Sequence, residues 1–228
     1  MSTSSSTRTA RLRENSQSRR EIQKRELRAA ILRAASEEFL AGGYEGFSLR
    51  RVAERIGYTP TTIYLYFRDK DELLLETVRD GFAAFDATIQ AATNHTDPRE
   101  RLRALGLAYL EFGINNSAIY RLMFMQRADF LMPRLLGSGS NEEDVATALL
   151  DPASPLHRVV AQDLLVSTVR DGIEAGLFAE GDPVRKADAL WASIHGLTSL
   201  ALSPLMTPEH ALIVADELLQ TLIRGLEP

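Results

Sequence analysis

The 228-residue chain contains no cysteine, so it has neither disulfides nor thiolate ligands for a metal. No apolar run approaches the roughly 20 residues of a membrane span, and the Ser-, Thr- and Arg-rich start lacks the apolar centre of a signal peptide. The few histidines are scattered without ligand spacing, which argues against a metal site: His95, His157, His195 and His210. We therefore expect a cytoplasmic protein with no membrane partner, no metal and no cofactor.

The net charge of −5 is unevenly distributed along the chain. Residues 1–70 contain 14 Lys and Arg and 8 Asp and Glu, a net charge of +6, whereas residues 71–228 contain 12 and 23, a net charge of −11. A basic end on an acidic body predicts that the first third of the chain meets a polyanion. Chance segregation of solvated charges is the alternative.

Helical patterns run through the chain and predict an all-α fold. Neither Asp80-Gly81 nor Asp171-Gly172 indicates a hairpin, because both lie inside helical patterns. Five prolines follow a capping residue, as at helix starts: Thr59-Pro60, Asp97-Pro98, Ser154-Pro155, Asp182-Pro183 and Thr207-Pro208. We expect disorder in residues 1–17 and a mobile connection at 137–153 with at most a short helix at 142–150. The predicted helices lie near 19–41, 48–56, 60–66, 70–93, 98–115, 118–131, 155–175, 183–203 and 208–225.

Two of these helices, 48–56 and 60–66, are short and follow each other across a tight turn. Ser48 is the expected N-cap of the first, and Gly57 ends it. The first helix has an apolar stripe at helical spacing: Leu49, Val52, Ala53 and Ile56. This arrangement predicts a helix-turn-helix, whose second helix enters the major groove of DNA. An ordinary αα-hairpin in a bundle has the same spacing.

The composition of the second helix favours DNA binding. Ile63 and Phe67 lie four residues apart and would face inward, which turns Thr61, Tyr64 and Leu65 outward. A solvated face normally carries Glu, Lys, Gln or Ala, because these residues hold a helix better. Hydroxyls suit phosphates and base edges, and a leucine suits a thymine methyl. The sequence therefore predicts that this face docks into a groove.

A lysine stands at the start of the next helix. Asp69 and Glu72 predict a capping box there, which places Lys70 in the first helical turn. The helix dipole disfavours a cation in that turn by roughly 0.3–1 kcal/mol. A phosphate bound by Lys70 and the free backbone N–H groups would reverse this cost. A solvent-screened lysine without a function is the alternative.

Residues 27–75 resemble the tetracycline-repressor (TetR) family of bacterial regulators through the segments ILRAA, GYEGFSLRRVAERIG and TIYLYFRDKDEL. The resemblance implies a helix-turn-helix DNA-binding domain at 18–68 and an effector-binding and dimerisation domain at 69–228. It implies a guanine contact by Arg50, and Thr62 departs from the Gly or Ala of many members. The other implied contacts are to phosphates from Ser48, Tyr64, Tyr66 and Lys70, and to bases or backbone from Pro60, Thr61, Thr62 and Leu65.

Two later segments resemble a C-terminal subgroup of this family. The segment 189–202 contains a Trp-x-x-x-His-Gly motif, in which Trp191 and His195 share one helix face. The segment 118–126, AIYRLMFMQ, is similar to the same subgroup. The resemblance implies ligand contacts, although each position also suits a helical core: Tyr120, Met123, Phe124, Trp191 and His195. Adaptable apolar side chains of this kind suit a hydrophobic effector.

We expect a homodimeric, ligand-responsive repressor, not an enzyme, that pairs through the helices at 183–203 and 208–225. Two-fold symmetry predicts a palindromic operator on double-stranded DNA, which a small hydrophobic effector would release. One alternative is a helical enzyme with His195 as base, but no nucleophile or carboxylate pair stands at a plausible spacing. Another is an interaction protein whose basic end meets a partner or an anionic membrane, which leaves the Thr/Tyr/Leu face unexplained.

Overall fold

The computed structural model describes the backbone of residues 3–125 and 160–228, and the side chains of residues 17–125 and 160–228. Within these ranges the chain forms nine helices and no strand, which confirms the all-α prediction. The helices are α1 (Thr3–Gly46), α2 (Leu49–Arg55), α3 (Pro60–Tyr64), α4 (Lys70–Ala91), α5 (Pro98–Asn115), α6 (Ser117–Phe124), α7 (Val160–Glu174), α8 (Pro183–Ala201) and α9 (Pro208–Leu226). The chain divides into two compact units, Met1–Thr77 and Val78–Pro228, so the division falls inside α4.

The predicted helix starts are accurate where a capping side chain marks them. Asp97, Asp182 and Thr207 each accept a hydrogen bond from a backbone N–H in the first turn of their helix. Ser48 and Thr59 occupy the N-cap positions of α2 and α3 with extended backbone, but neither side chain makes a cap hydrogen bond. The Ser154-Pro155 start, the helix at 142–150 and the end of the 118–131 helix lie outside the described residues.

The first helix is longer than predicted. The sequence predicts disorder for residues 1–17, whereas the backbone of α1 is helical from Thr3. No glycine or proline precedes Gly42, and the segment is rich in helix-forming Arg, Glu and Gln, so no residue in it ends a helix. At the other end, Gly43 leaves the helical path at φ 59°, a conformation that favours glycine. This confirms the predicted stop at Gly42-Gly43.

In the first unit α2 packs against α1 and α3 packs against α2, and Arg28 of α1 pairs with Glu76 of α4. Its fully buried side chains include Ile31, Ala35, Phe39, Val52, Ile63, Phe67 and Leu73. Glu38 is also buried, with 6% of its side chain exposed, and pairs with both Arg51 and Arg55 of α2. A buried carboxylate needs such partners, so this ion cluster fixes α2 on α1.

The second unit has two apolar clusters, one around Phe85, Tyr109 and Ile194 and the other around Val169 and Phe178. Glycines allow its helices to approach closely. A Cβ on Gly106 of α5 would collide with Leu219 of α9, and a Cβ on Gly172 of α7 would collide with Phe178 in the turn that follows this helix. Gly172 is inside α7, as predicted for the Asp171-Gly172 pair. None of the described helices has the length and apolarity that crossing a bilayer requires.

Candidate DNA-binding surface and effector site

The helix α3 presents the face that its sequence predicts. Ile63 and Phe67 are buried, and Thr61 is exposed. The exposed fractions of Tyr64 and Leu65 are 57% and 79%. An apolar pair four residues apart fixes the inward side of this short helix, and the polar and apolar remainder must then face out. Tyr64 and Leu65 together expose apolar surface next to the polar hydroxyls of this face, a mixture that suits docking against a partner.

Several hydroxyl groups around this face have no hydrogen-bond partner among the described residues. Within residues 17–125 and 160–228, the hydroxyls of Ser48, Thr61, Tyr64 and Tyr66 make no hydrogen bond to another side chain or to the backbone. Ser48 and Tyr66 are half-buried at the edge of the face. Hydroxyls that the fold leaves unsatisfied are available to phosphate oxygens or base edges.

Two of the residues predicted to contact DNA, Arg50 and Thr62, already interact with other side chains of the protein. Nε of Arg50 donates to Oε1 of Glu54 at 2.9 Å, one helical turn along α2, and both side chains are exposed. Such a pair contributes little to stability, and the guanidinium keeps further N–H donors. The hydroxyl of Thr62 lies 3.2 Å from that of Thr59. This contact joins Thr62 to the turn before α3, while Pro60 opens the helix as predicted.

Lys70 is the first residue of α4, and hydrogen bonds of the capping residues fix the backbone around it. The backbone N–H of Glu72 donates to Asp69 at 2.9 Å, and Oε2 of Glu72 accepts from the backbone N–H of Arg68 at 2.5 Å. The reciprocal capping thus exists, but it reaches one residue further back than a standard capping box. The hydrogen bond from Glu72, with a smaller contribution from Arg68, lowers the pKa of Asp69. Nζ of Lys70 lies 3.6 Å from the ring centroid of Tyr44.

In the second unit, four of the five predicted effector residues form a group of hydrogen-bonded or neighbouring rings, together with Tyr109, which the sequence did not single out. Nδ1 of His195 lies 2.7 Å from the hydroxyl of Tyr120 and 3.1 Å from that of Tyr109. The indole N–H of Trp191 donates to the hydroxyl of Tyr109 at 3.2 Å. The His195 ring is 5.7 Å from Trp191 and 6.1 Å from Phe124, which confirms that Trp191 and His195 share a face.

Burial determines the protonation states of His195, Tyr109 and Tyr120. Burial lowers the pKa of His195 and raises the pKa values of Tyr109 and Tyr120, so all three are neutral near pH 7. The tyrosine hydroxyls occupy Nδ1 of the neutral ring, which leaves Nε2 as the ring nitrogen without a hydrogen-bond partner among the described residues. The remaining predicted residue, Met123, lies half-buried on α6 against α4, where a Cβ on Gly81 would be 2.7 Å from its sulfur. Among the described residues no cluster of His, Asp and Glu could hold a metal ion.

Comparison with known proteins identifies the fold. A model of the bacterial regulatory proteins of the tetR family matches residues 31–77, and a model of the tetracyclin repressor-like C-terminal domain matches residues 102–226, more than half of the chain. The chain belongs to the TetR family. The N-terminal match includes α2, α3 and the start of α4, and the C-terminal match includes both segments around Tyr120 and His195.

Named relatives are similar to parts of this TetR-family chain. A region of 100 residues is 35% identical to the HTH-type transcriptional activator FasR of Mycolicibacterium smegmatis and covers 43% of this chain and 46% of FasR. A region of 109 residues is 29% identical to an HTH-type transcriptional regulator of Haemophilus influenzae, over 47% of this chain and 53% of the relative. The chain thus spans about half the length of these curated relatives.

A solved TetR-family structure extends the likeness over most of the chain. The regulator PfmR from Thermus thermophilus superposes with a TM-score of 0.66 at 25% identity, over 87% of this chain and 99% of PfmR. The helix-turn-helix and the helical C-terminal domain of the TetR fold are therefore present here. The assignment to the Trp-x-x-x-His-Gly subgroup stays a prediction.

Sequence reasoning missed two residues of this TetR-family chain that the structure draws attention to. Tyr109 joins Tyr120, His195 and Trp191, yet it lies on the buried apolar face of α5 with no local mark of a polar role. Tyr58, in the turn before α3, is 49% exposed. A large aromatic beside a recognition helix is the one signal that could have added Tyr58 to the candidates.

The neutral state of His195 predicts a pH dependence of stability. Because the pKa of His195 is lowered on folding, the unfolded chain binds more protons below about pH 6.5, and stability is lost as the pH falls from there towards the folded pKa. Tyr109 and Tyr120 stay neutral throughout this window. The melting temperature should therefore fall by a few degrees more in the wild type than in His195→Gln between pH 7.5 and 5.5. Equal decreases in thermal unfolding experiments would contradict a half-buried imidazole that is held neutral by the fold.

Proposed function

We propose that this chain is a homodimeric, ligand-responsive transcriptional regulator that binds a palindromic operator. The exposed face of α3 carries the proposal, because Thr61, Tyr64 and Leu65 combine unsatisfied hydroxyls with exposed apolar surface. In this role Ser48, Tyr64, Tyr66 and Lys70 bind phosphates and Arg50 reads a base, with Pro60, Thr61, Thr62 and Leu65 against the groove. Its place of action is the bacterial cytoplasm, where the DNA is.

The proposed dimer uses α8 and α9, whose outer surfaces carry unpaired apolar side chains. Ile213 is 71% exposed and its neighbour Leu212 is 40% exposed. On α8, a Cβ added at Gly196 would meet no atom within 4 Å. A mid-helix glycine costs about 1 kcal/mol relative to alanine, and no close approach by the described residues requires it. A second copy packed against Gly196 would explain both the glycine and the exposed apolar surface.

The proposed effector binds in the second unit at Tyr120, Met123, Phe124, Trp191 and His195. The aromatic surroundings support a hydrophobic molecule, since Phe82 and Phe85 add rings 5.6 Å from Phe124. Nε2 of His195 makes no hydrogen bond to the described residues, and in the tautomer whose Nδ1 accepts from a tyrosine hydroxyl it would supply one donor that fixes the orientation of the effector. A neutral effector with a hydrogen-bond acceptor suits this donor.

The two activities would be linked through α4, which starts in the first unit at Lys70 and continues into the second. An effector that prefers a conformer with misplaced recognition helices by about 1.4 kcal/mol lowers operator affinity tenfold. We expect repression, because a dimer on a promoter blocks polymerase. FasR, which is similar to part of the chain, is named an activator, so activation is the alternative outcome.

Selection of bound DNA from a random pool tests the proposal. The selected site should be palindromic, and binding by the purified wild type should exceed binding to scrambled DNA at least a thousandfold at physiological salt. No enrichment above other polyanions would contradict the function and favour a general interaction protein. Molecules that dissociate the selected complex can then be screened by quenching of Trp191, the only tryptophan.

The roles of two basic residues are separable on the selected site. Arg50→Ala should relax preference at particular base pairs and cost about 1–3 kcal/mol on the best sequence. Lys70→Ala should weaken binding to all sequences by a similar factor. It should also reduce the slope of log affinity against log salt concentration by about one. A uniform loss from Arg50→Ala on every sequence would assign Arg50 to phosphate instead.

The alternative of an enzyme with His195 as base has no support in the site. Nδ1 is occupied by tyrosine hydroxyls, and no carboxylate among the described residues hydrogen bonds to the ring. Relatives of the chain are named transcriptional regulators.

A further inference from the structure

The end of α1 places an aromatic ring against the start of α4. Gly43 turns the chain out of the α1 helix with φ 59°, and the next residue is Tyr44. The hydroxyl of Tyr44 donates to Oδ1 of Asp71 at 2.8 Å, which fixes the far end of the ring. The ring is thus held at its backbone by the α1 kink and at its hydroxyl by α4, with its face towards Lys70.

The ammonium of Lys70 lies over this face, with Nζ 3.6 Å from the ring centroid. This is well inside the limit of about 6 Å for an attraction between a cation and an aromatic ring. Because Tyr44 donates its proton to a carboxylate, the phenol ring gains electron density and holds a cation more strongly. An ammonium carries three N–H donors, and the ring face engages only one side of the group. The other side stays available for an anion.

We propose that Tyr44 is a positioning residue for Lys70: it holds the ammonium at the start of α4 in the place where an operator phosphate binds. The inference rests on the proposed function, because it concerns the same DNA contact. A free lysine loses much rotamer freedom when it binds a phosphate, and a lysine already held on a ring loses less. Tyr44 therefore raises affinity without touching the DNA.

A double-mutant cycle on the selected operator tests this role. The attraction holds Lys70 on the ring before binding and so reduces the rotamer freedom that the lysine loses on the phosphate; Tyr44→Leu should therefore weaken binding about two- to fivefold when Lys70 is present. In the Lys70→Ala background the same replacement should have no effect. Tyr44→Phe keeps the ring and should recover most of the loss. Equal losses in both backgrounds would overturn the proposal and assign Tyr44 to packing alone.

A second measurement uses the wild-type protein and does not depend on how Tyr44→Leu folds. In NMR spectra of the free protein, ring currents should shift the Hε signals of Lys70 upfield, and Lys70→Ala identifies them. Signals at random-coil positions would overturn the proposal even if DNA binding is normal. Absence of specific DNA binding by the wild type would instead contradict the proposed function, and the positioning role with it. Unshifted Lys70 signals with normal DNA binding would contradict the positioning role alone, so the two failures are distinguishable.

Discussion

Replacement of Leu65 with glutamate is expected to reduce operator affinity by about 30- to 1,000-fold while leaving the fold intact. Leu65 follows α3 directly and is 79% exposed, so a polar side chain there costs the free protein little. In the complex, the carboxylate would lie among phosphates. A like charge at 4–8 Å in the partly screened environment of a protein surface costs about 2–4 kcal/mol, which gives this range of affinities.

Leu65→Gln is the matched control, because it has the same shape as the glutamate variant without its charge. It should lose only the apolar contact with the groove, a few-fold in affinity, most clearly at thymine positions. Fluorescence anisotropy with the selected operator measures both variants, and the gap between them should narrow at higher salt. Equal, near-wild-type binding by both variants would show that Leu65 does not enter the groove and would remove the main support for α3 as the recognition helix.

Features that depend on neighbouring residues could be predicted from the sequence. The inward side of α3 follows from Ile63 and Phe67, because a spacing of four residues places two side chains on one face. The starts at Asp97 and Asp182 follow from a capping side chain next to a proline, and the structure has both hydrogen bonds. Local spacing also placed Trp191 and His195 together.

Features that join distant parts of the chain could not be predicted in this way. The hydroxyl of Tyr44 binds Asp71, and Tyr109 meets His195, across 27 and 86 positions of sequence. No periodic pattern marks either pair, since each tyrosine also suits an ordinary core position. The tight approach at Gly106 was equally hidden, because a glycine in a helix does not say which side chain comes close to it.

The length of α1 was mispredicted for a different reason: the amino-acid composition of residues 1–17 was a poor guide to their local structure. Ser, Thr and Arg in residues 1–17 indicated disorder because they cannot bury apolar surface. A helix that continues from a packed segment needs no burial of its own, since propagation adds one hydrogen bond for each residue fixed. Residues 17–26 of α1 are accordingly helical with every side chain exposed.

The other large expected effect concerns the proposed dimer. Ile213→Glu should convert the protein to a monomer at micromolar concentration, because an unpaired carboxylate in an apolar interface costs several kcal/mol. Two-fold symmetry places the change in the interface twice. Loss of the second, linked half-site should then weaken binding to the full operator by about a hundredfold or more. Sedimentation velocity measures the first effect and anisotropy the second.

Three comparisons distinguish a lost dimer from a damaged protein. Ile213→Leu keeps the apolar surface and should remain dimeric, and the Ile213→Glu monomer should bind a single half-site as the wild type does. Gly196→Leu tests the interface by shape. A Cβ at this position meets none of the described residues, so the monomer gains helix propensity of up to about 1 kcal/mol, but a partner helix would collide with the leucine. If Ile213→Glu and Gly196→Leu both stay dimeric with full operator affinity, the subunits pair through some other surface than α8 and α9.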